Sequence, residues 1–364
     1  MKKKILVISN MYPSKKNKTF GIFVKNQVKA LRDNGLKVDT LVINESRMGK
    51  VYVIQKYLKW MMSAMKDLLL KGKDYQLVHA HYVFPSGLLG LMFKRLFGTR
   101  LIVTAHGGDI DRMARKNKQI FNLTKKILHE SDHVIAVGDK LKADIVKDFE
   151  IEEGKVSVLN MGVNRTVFAP VERQLARKQL NLNQDNPILL YVGNIIKAKG
   201  LLELINAYKV CKETIPSLEL HLIGAKKEPS FYEQLVSIIR DNQLTDITFH
   251  EAKGQKEVAV WMNAADAFIL PSHMEGFGLV ALEAMSCSTP VIGSDIGGLS
   301  YLLDGQSGYK VLPKDSTSLA NGIKEILIND ELRTTIIKNG ESKARAYDQE
   351  VVLQRLLEIY EGRE

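Results

Sequence analysis

Short runs of valine, isoleucine and leucine alternate with stretches of helical period along most of this chain. The runs at 5–9, 38–43, 77–81, 100–106, 133–138 and 156–160 read as strands, and the pattern restarts after Pro170 at 188–194, 218–224, 247–252, 266–272 and 290–295. Between them lie amphipathic segments. One begins near Gly21, with Phe23, Val24, Val28 and Leu31 on one side; another is LLELINAYKV after Gly200; a third begins near Leu279. Near-continuous apolar strands separated by helices predict parallel sheets covered on both faces. Two such series, joined around Asn164 to Pro170, predict an α/β protein of two doubly wound domains, residues 1–168 and 169–346. Ligands of such sheets bind beyond the carboxyl ends of the strands. Ser9, His81, His106, Gly138, Gly193, Gly224, Glu251 and Ser272 fall there.

The length of 364 residues suits two domains, and a hydrophobic content of 45% supplies cores for both and excludes a disordered chain. Cys211 and Cys287 lie far apart without metal-ligand spacing, so both are expected as small buried side chains and the compartment as reducing. Met1-Lys2-Lys3-Lys4 before ILVIS resembles a leader, but the apolar run stops at Asn10 and is expected as the first strand. No window approaches the roughly 18 apolar residues of a membrane span. The protein is therefore expected in the cytoplasm or peripherally on the inner membrane face. Charge is uneven: residues 1–170 carry 31 lysines and arginines against 15 acidic residues, a net of +16, whereas the remainder has 21 against 26. An anionic partner is expected for the first half only.

The densest chemistry lies in PSHMEGFGLVALEAMSCSTPVIGSDIGG (271–298). Glu275 stands in a loop, Glu283 on the following helix, and Gly276-Phe277-Gly278 between them lets backbone amides approach a ligand. A strand–loop–helix aims free amides and a positive dipole end at an anion. Two carboxylates there would repel a phosphate and suit hydroxyls, so a sugar phosphate or nucleotide sugar fits both; a capped core helix with incidental glutamates reads the same letters. Lys199, in Gly193-Asn194-Ile195-Ile196-Lys197-Ala198-Lys199-Gly200, can add a point charge beside a phosphate. It can equally be a solvated helix-start lysine. His106 ends a strand before Gly107-Gly108-Asp109, placed to donate to a hydroxyl or carry a proton. His79 and His81 alternate along their strand and are expected on opposite faces, which excludes them as a metal pair; only His81 is expected to line a site. His273 is expected at or just behind the site, and Thr19-Phe20-Gly21 as a turn that matters if it covers a ligand. The basic, Met- and Leu-rich segments 51–75 and 112–128 read as surface helices or as elements lying on an anionic membrane.

Together GIFVKNQVKAL, VHAHYVFPSG, TAHGGDI, YVGNIIKAKG and the 271–298 motif resemble the retaining glycosyltransferases of family 4, over nearly the whole chain and most closely the bacterial cell-envelope members, including those of teichuronic acid biosynthesis. The resemblance implies a GT-B fold: two Rossmann-like domains facing a cleft, acceptor bound by the first and donor by the second, with a C-terminal helix (347–364) crossing back. It implies Glu283 on the donor ribose, Glu275 against the transferred sugar, amides around Gly276, Phe277, Gly278 and Leu279 near sugar and diphosphate, and Lys199 neutralising the diphosphate with Gly193 and Asn194 beside it. It places His106 at the donor sugar and Gly21 in a loop near the phosphates. Many relatives carry arginine where this chain has Asn194, which leaves Lys199, or Lys197 in addition, to hold that charge. The implied reaction moves a sugar from a nucleotide sugar, UDP-linked by expectation, to a lipid-linked or envelope glycan, with front-side attack and no side-chain nucleophile. Asp109-Ile110-Asp111 follows the histidine loop and not a metal-binding strand tip, so no metal or other cofactor is expected. An epimerase of the same fold, a nicotinamide-binding protein and a nucleic-acid-binding protein are the other readings. The last two lack GxGxxG and any basic-aromatic module, and no nucleic-acid partner is expected.

Overall fold

The computed structural model describes residues 4–14, 20–45 and 49–363. The chain forms two compact units, Met1–Met161 with Glu350–Glu364, and Gly162–Gln349. Each is built on a six-stranded, all-parallel sheet. In the first, β1 (Lys4–Ser9), β2 (Lys37–Val42), β3 (Leu77–His81), β4 (Arg100–Ala105), β5 (His133–Ala136) and β6 (Val156–Val158) lie in the order β2-β1-β3-β4-β5-β6. In the second, β7 (Ile188–Val192), β8 (Glu219–Ile223), β9 (Ile247–His250), β10 (Ala267–Leu270), β11 (Val291–Ser294) and β12 (Tyr309–Val311) lie in the order β12-β11-β10-β7-β8-β9. Counted within that unit this is 6-5-4-1-2-3, the dinucleotide-fold order. Its direction reverses between β7 and β10, and the crevice beyond those two strand ends is where ligands of such sheets bind. In the first sheet the reversal lies between β1 and β3.

The apolar strands sit in two-sided cores, as their sequence requires. In β1, Leu6 and Ile8 pack under Trp60, Leu89, Phe93 and Ile127, whereas Ile5 and Val7 face Val24, Val28 and Leu31 of helix Ile22–Asp33. The second face is completed by Val352, Leu353, Leu356 and Ile359 of the helix Gln349–Glu361. That helix is further tied down by Arg100, which donates to the Tyr360 carbonyl at 2.8 Å. The second unit has one core, in which Leu189, Tyr191, Leu222, Phe268 and Ile292 are fully buried. Cys211 and Cys287 are buried there as free thiols.

Residues 162–168 belong to the second unit. Val163 exchanges backbone hydrogen bonds with Tyr347 and Gln349, and Phe168 is buried beneath Ser286, which donates to its carbonyl at 2.5 Å. The division at Gly162 thus precedes the Asn164–Pro170 stretch that marks it in the sequence. Strand β12 has no counterpart among the expected strands, because Tyr-Lys-Val carries a lysine at its centre and buries only Val311, so no apolar run marks it.

Candidate functional site

In the second unit, the loops after β7 and β10 are locked together. Gly200 adopts φ +69, and a Cβ there would lie 1.9 Å from the Pro271 carbonyl oxygen, so only glycine fits. The His273 amide donates to the Ala198 carbonyl at 2.9 Å. This lock sets Lys199, at the end of the 3₁₀ turn Lys197–Lys199, against Glu275, with Nζ to Oε2 at 2.6 Å. Ser272 donates to the same carboxylate oxygen at 3.3 Å. His273 sits behind the pair, its Nε2 3.0 Å from Glu203 of the helix Leu201–Lys212. Asn194 is exposed; its carbonyl accepts from the buried Tyr191 hydroxyl at 2.9 Å, which shapes the turn at Gly193.

After Glu275 the chain passes Gly276 and Phe277, whose ring stands edge-on to Tyr347 at 5.5 Å, and enters the helix Leu279–Ser286 at Gly278. No side chain caps that helix, so its first amides and positive dipole end are available at the strand tips. Glu283 lies one turn in, where burial pushes its carboxyl up to about 8 against a weak opposing hydrogen bond from Gln255 at 3.4 Å. A half-buried carboxyl with so few donors is matched by hydroxyl groups that would donate to it. The arrangement can hold an anion at Lys199 and the helix start, and polyol groups at Glu275 and Glu283. The residues singled out in the two sequence motifs therefore converge, with Lys199 and Glu275 in direct contact.

In the first unit, His106 follows β4 and is half-buried. Its Nε2 lies 3.2 Å from His81 Nδ1, and its ring meets Tyr82 at 4.5 Å and Phe23 at 4.9 Å. Burial, and then the neighbouring His81, hold the His106 imidazole neutral by lowering its pKa well below the usual histidine range. Phe23 arrives because helix Ile22–Asp33 starts at Gly21, which has φ +67 and would place a Cβ 2.4 Å from the Met11 carbonyl oxygen. Gly21 and His106 are thus brought to the same end of the first sheet; Thr19 lies outside the described residues. Asp109, the first residue of the Asp-x-Asp spelling, is buried and structural. Its carboxylate accepts from the amides of Val83 and His106 at 2.8 and 2.9 Å, tying the loops after β3 and β4. Burial pushes it up to about 6 although both amides oppose the shift. Among the described residues no group of three or more histidine, cysteine or acidic side chains is arranged to hold a metal ion.

One expectation is overturned. His79 and His81 share a face, with ring centroids 4.3 Å apart. Side chains two residues apart in a strand point the same way, so the alternation that suggested opposite faces in fact stacks the two rings.

The basic segments also separate. Residues 112–128 are not one helix: Asn117 breaks the run and caps Lys118–Glu130, while Arg115 pairs with Asp148 and Lys125 with Glu150. The other segment is a single helix, Lys50–Lys71. Trp60, Ala64 and Leu68 bury one stripe, yet Ile54, Leu58, Met61, Met62, Met65, Leu69 and Leu70 are exposed, Leu69 by 79%. Between this helix and the edge strand β2 runs a groove of about 640 Å³ lined by Lys56, Lys59, Lys66 and Lys71.

Residues 21–167 match the model described as Glycosyltransferase Family 4, and residues 172–343 match the one described as Glycosyl transferases group 1. The chain is 28% identical to an uncharacterized glycosyltransferase of Methanocaldococcus jannaschii over 98% of both chains. It is 30% identical to a D-inositol 3-phosphate glycosyltransferase of Actinosynnema mirum, over 79% of this chain and 72% of that one. Identity to TuaC of Bacillus subtilis, a glycosyltransferase named for teichuronic acid biosynthesis, is 25% over 88% of each. Among solved structures, sucrose-phosphate synthase from Thermosynechococcus elongatus superposes with a TM-score of 0.82 at 25% identity, covering 99% of both chains. HepE of Anabaena, solved with UDP and glucose, superposes with a TM-score of 0.78 at 19% identity, over 99% of this chain and all of that one.

Proposed function

The chain belongs to the family 4 glycosyltransferases, with their GT-B fold, and we propose that it moves a sugar from a UDP-sugar to a lipid-linked or cell-envelope glycan with retention of configuration. The observation that carries this reading is the Lys199–Glu275 pair beside an uncapped helix start, with Glu283 one turn further in. Departure of the nucleoside diphosphate is the step that needs help. Lys199 and the amides at Gly278 and Leu279 would stabilise the charge growing on it, preorganised in a partly dry site. Once Lys199 turns to the diphosphate, Glu275 is released to accept hydrogen bonds from the transferred sugar. Glu283 accepts from the ribose hydroxyls. With Asn194 uncharged, the exposed Lys197 in the same turn supplies the second cation. His106 serves as a hydrogen-bond donor to the sugar substrate.

Positive charge from lysine and helix amides takes the place of a divalent ion in this scheme, so chelation with EDTA is expected to leave the rate unchanged. A screen of UDP-, GDP- and ADP-sugars against the purified protein identifies the donor. Glu283→Gln is then expected to raise the donor KM by about tenfold or more, because an amide NH2 replaces one of the two oxygens that accept from the ribose hydroxyls. Unchanged donor binding would count against the site. The anomeric configuration of the product, read by NMR, tests retention.

We also propose that the helix Lys50–Lys71 rests on an anionic membrane at the cytoplasmic face. Its exposed methionines and leucines offer apolar surface to the lipid boundary, while Lys59 and Lys66 of the groove have no ion-pair partner among the described residues. Among the described residues no helix is long and apolar enough to cross a membrane.

A further inference from the structure

Three imidazoles stand in a row at the carboxyl end of the first sheet, and only the outermost belongs to the proposed chemistry. His79 is clamped at both nitrogens: Nδ1 lies 2.7 Å from the Tyr360 hydroxyl and Nε2 2.7 Å from Thr104 Oγ1. Its ring lies against that of His81, centroids 4.3 Å apart, with no hydrogen bond between them. His81 is fully buried, reaches His106 through Nδ1 at 3.2 Å, and has no partner for Nε2 among the described residues. The break between His79 and His81 rules out a proton wire through the row. What remains is support: a fixed ring beneath His81, and His81 beneath His106.

A neutral imidazole carries one N–H and one lone pair. In the contact between His81 Nδ1 and His106 Nε2, one nitrogen must donate and the other accept. Burial pushes His81 down to about 3, so it stays neutral and has a single proton to place. A proton on Nε2 would be a buried N–H with no acceptor, a kind of orphan rarer in proteins than an under-satisfied acceptor. The proton therefore belongs on Nδ1, pointing at His106. We infer that His81 is a positioning residue whose Nδ1–H donates to His106 Nε2, fixing the tautomer of His106 so that its Nδ1–H is the donor offered to the sugar. The last clause rests on the transferase reading; the tautomer itself does not.

The test is long-range nitrogen-15 NMR of protein labelled at its eight histidines, with the His106 signals assigned by their loss in His106→Gln. Wild-type protein is expected to show His106 protonated at Nδ1 and bare at Nε2. A proton on Nε2 overturns the inference. His81→Ala removes the donor and is expected to shift His106 towards the Nε2–H form. His81→Asn, whose amide nitrogen can occupy the place of the lost Nδ1, is expected to keep the wild-type tautomer. In a transfer assay with the donor found by the screen, His81→Ala should lower kcat by about tenfold to a hundredfold with donor KM unchanged, and His81→Asn should recover most of it. Equal losses in both variants, or an unchanged His106 tautomer in His81→Ala, would overturn the role. The thermal transition of the first unit, which contains His81, checks by calorimetry that each variant is folded. A protein that transfers no sugar would defeat the functional reading while leaving the tautomer measurement intact.

Discussion

Glu283 combines its proposed place on the donor ribose with a structural cost. Its carboxyl is raised by burial from 4.5 to about 8, so between those values the folded protein holds a proton that the unfolded chain has already released. Stability then falls as pH rises through that window and levels off above it. Glu283→Gln removes the ionisable group. Its melting temperature is therefore expected to exceed that of wild type at pH 8 by more than it does at pH 4, although the variant is expected to bind donor poorly. A difference that does not grow with pH would show that Glu283 is not held protonated in the free protein. Gly200 illustrates the opposite case, a residue expected to matter through the loop it holds. Gly200→Ala would put a methyl group against the Pro271 carbonyl at positive φ, costing about 1–3 kcal/mol and misplacing Lys199. Calorimetry should find the lower stability and donor titration the weaker binding together.

Among the elements, those that bury apolar side chains on both faces were the most legible. Eleven strands announce themselves as Val/Ile/Leu runs, and β12 does not, because the lysine at the centre of Tyr-Lys-Val breaks the run. Strand order is carried by contacts between distant segments, so the reversal between β7 and β10 is not visible in local pattern. The site shows the same division. The 271–298 motif and Lys199 can be found from residue type and position, but their ion pair depends on the Gly200 lock between two loops. The structural role of Asp109 is not legible in sequence because its partners are the backbone amides of Val83 and His106. Helix Lys50–Lys71 is readable as basic and amphipathic, yet the sequence does not tell which of its apolar residues stay uncovered. If that face meets lipid, Lys59→Glu with Lys66→Glu should weaken binding to vesicles of phosphatidylcholine with phosphatidylglycerol, roughly fivefold per lysine from charge removal alone. Binding to pure phosphatidylcholine should change little. Equal binding of both vesicle types by wild type would reject an electrostatic contact.

For the whole molecule, the division into two compact units predicts separable stabilities. Removing residues 350–364 strips Val352, Leu353, Leu356 and Ile359 from one face of the first sheet and leaves His79 without Tyr360. Buried leucine or isoleucine lost to solvent costs about 2–5 kcal/mol each, enough to unfold a unit of ordinary stability. The truncated protein is expected to lose the thermal transition of the first unit while still binding the nucleotide through the second. Loss of both together would mean that the units do not fold independently.

The helix Gln349–Glu361 also has a consequence for biosynthesis. The ribosome completes all six strands of the first sheet by Val158, but the helix that covers one of its faces is made only after the second unit. At roughly 5–20 residues per second, that face waits on the order of ten to forty seconds. During this interval Ile5, Val7, Leu77 and Ile102 lack part of their native cover, so the nascent chain presents an apolar surface that chaperones can occupy. Prematurely terminated chains would keep that surface exposed, and the cell could recognise and remove them by it.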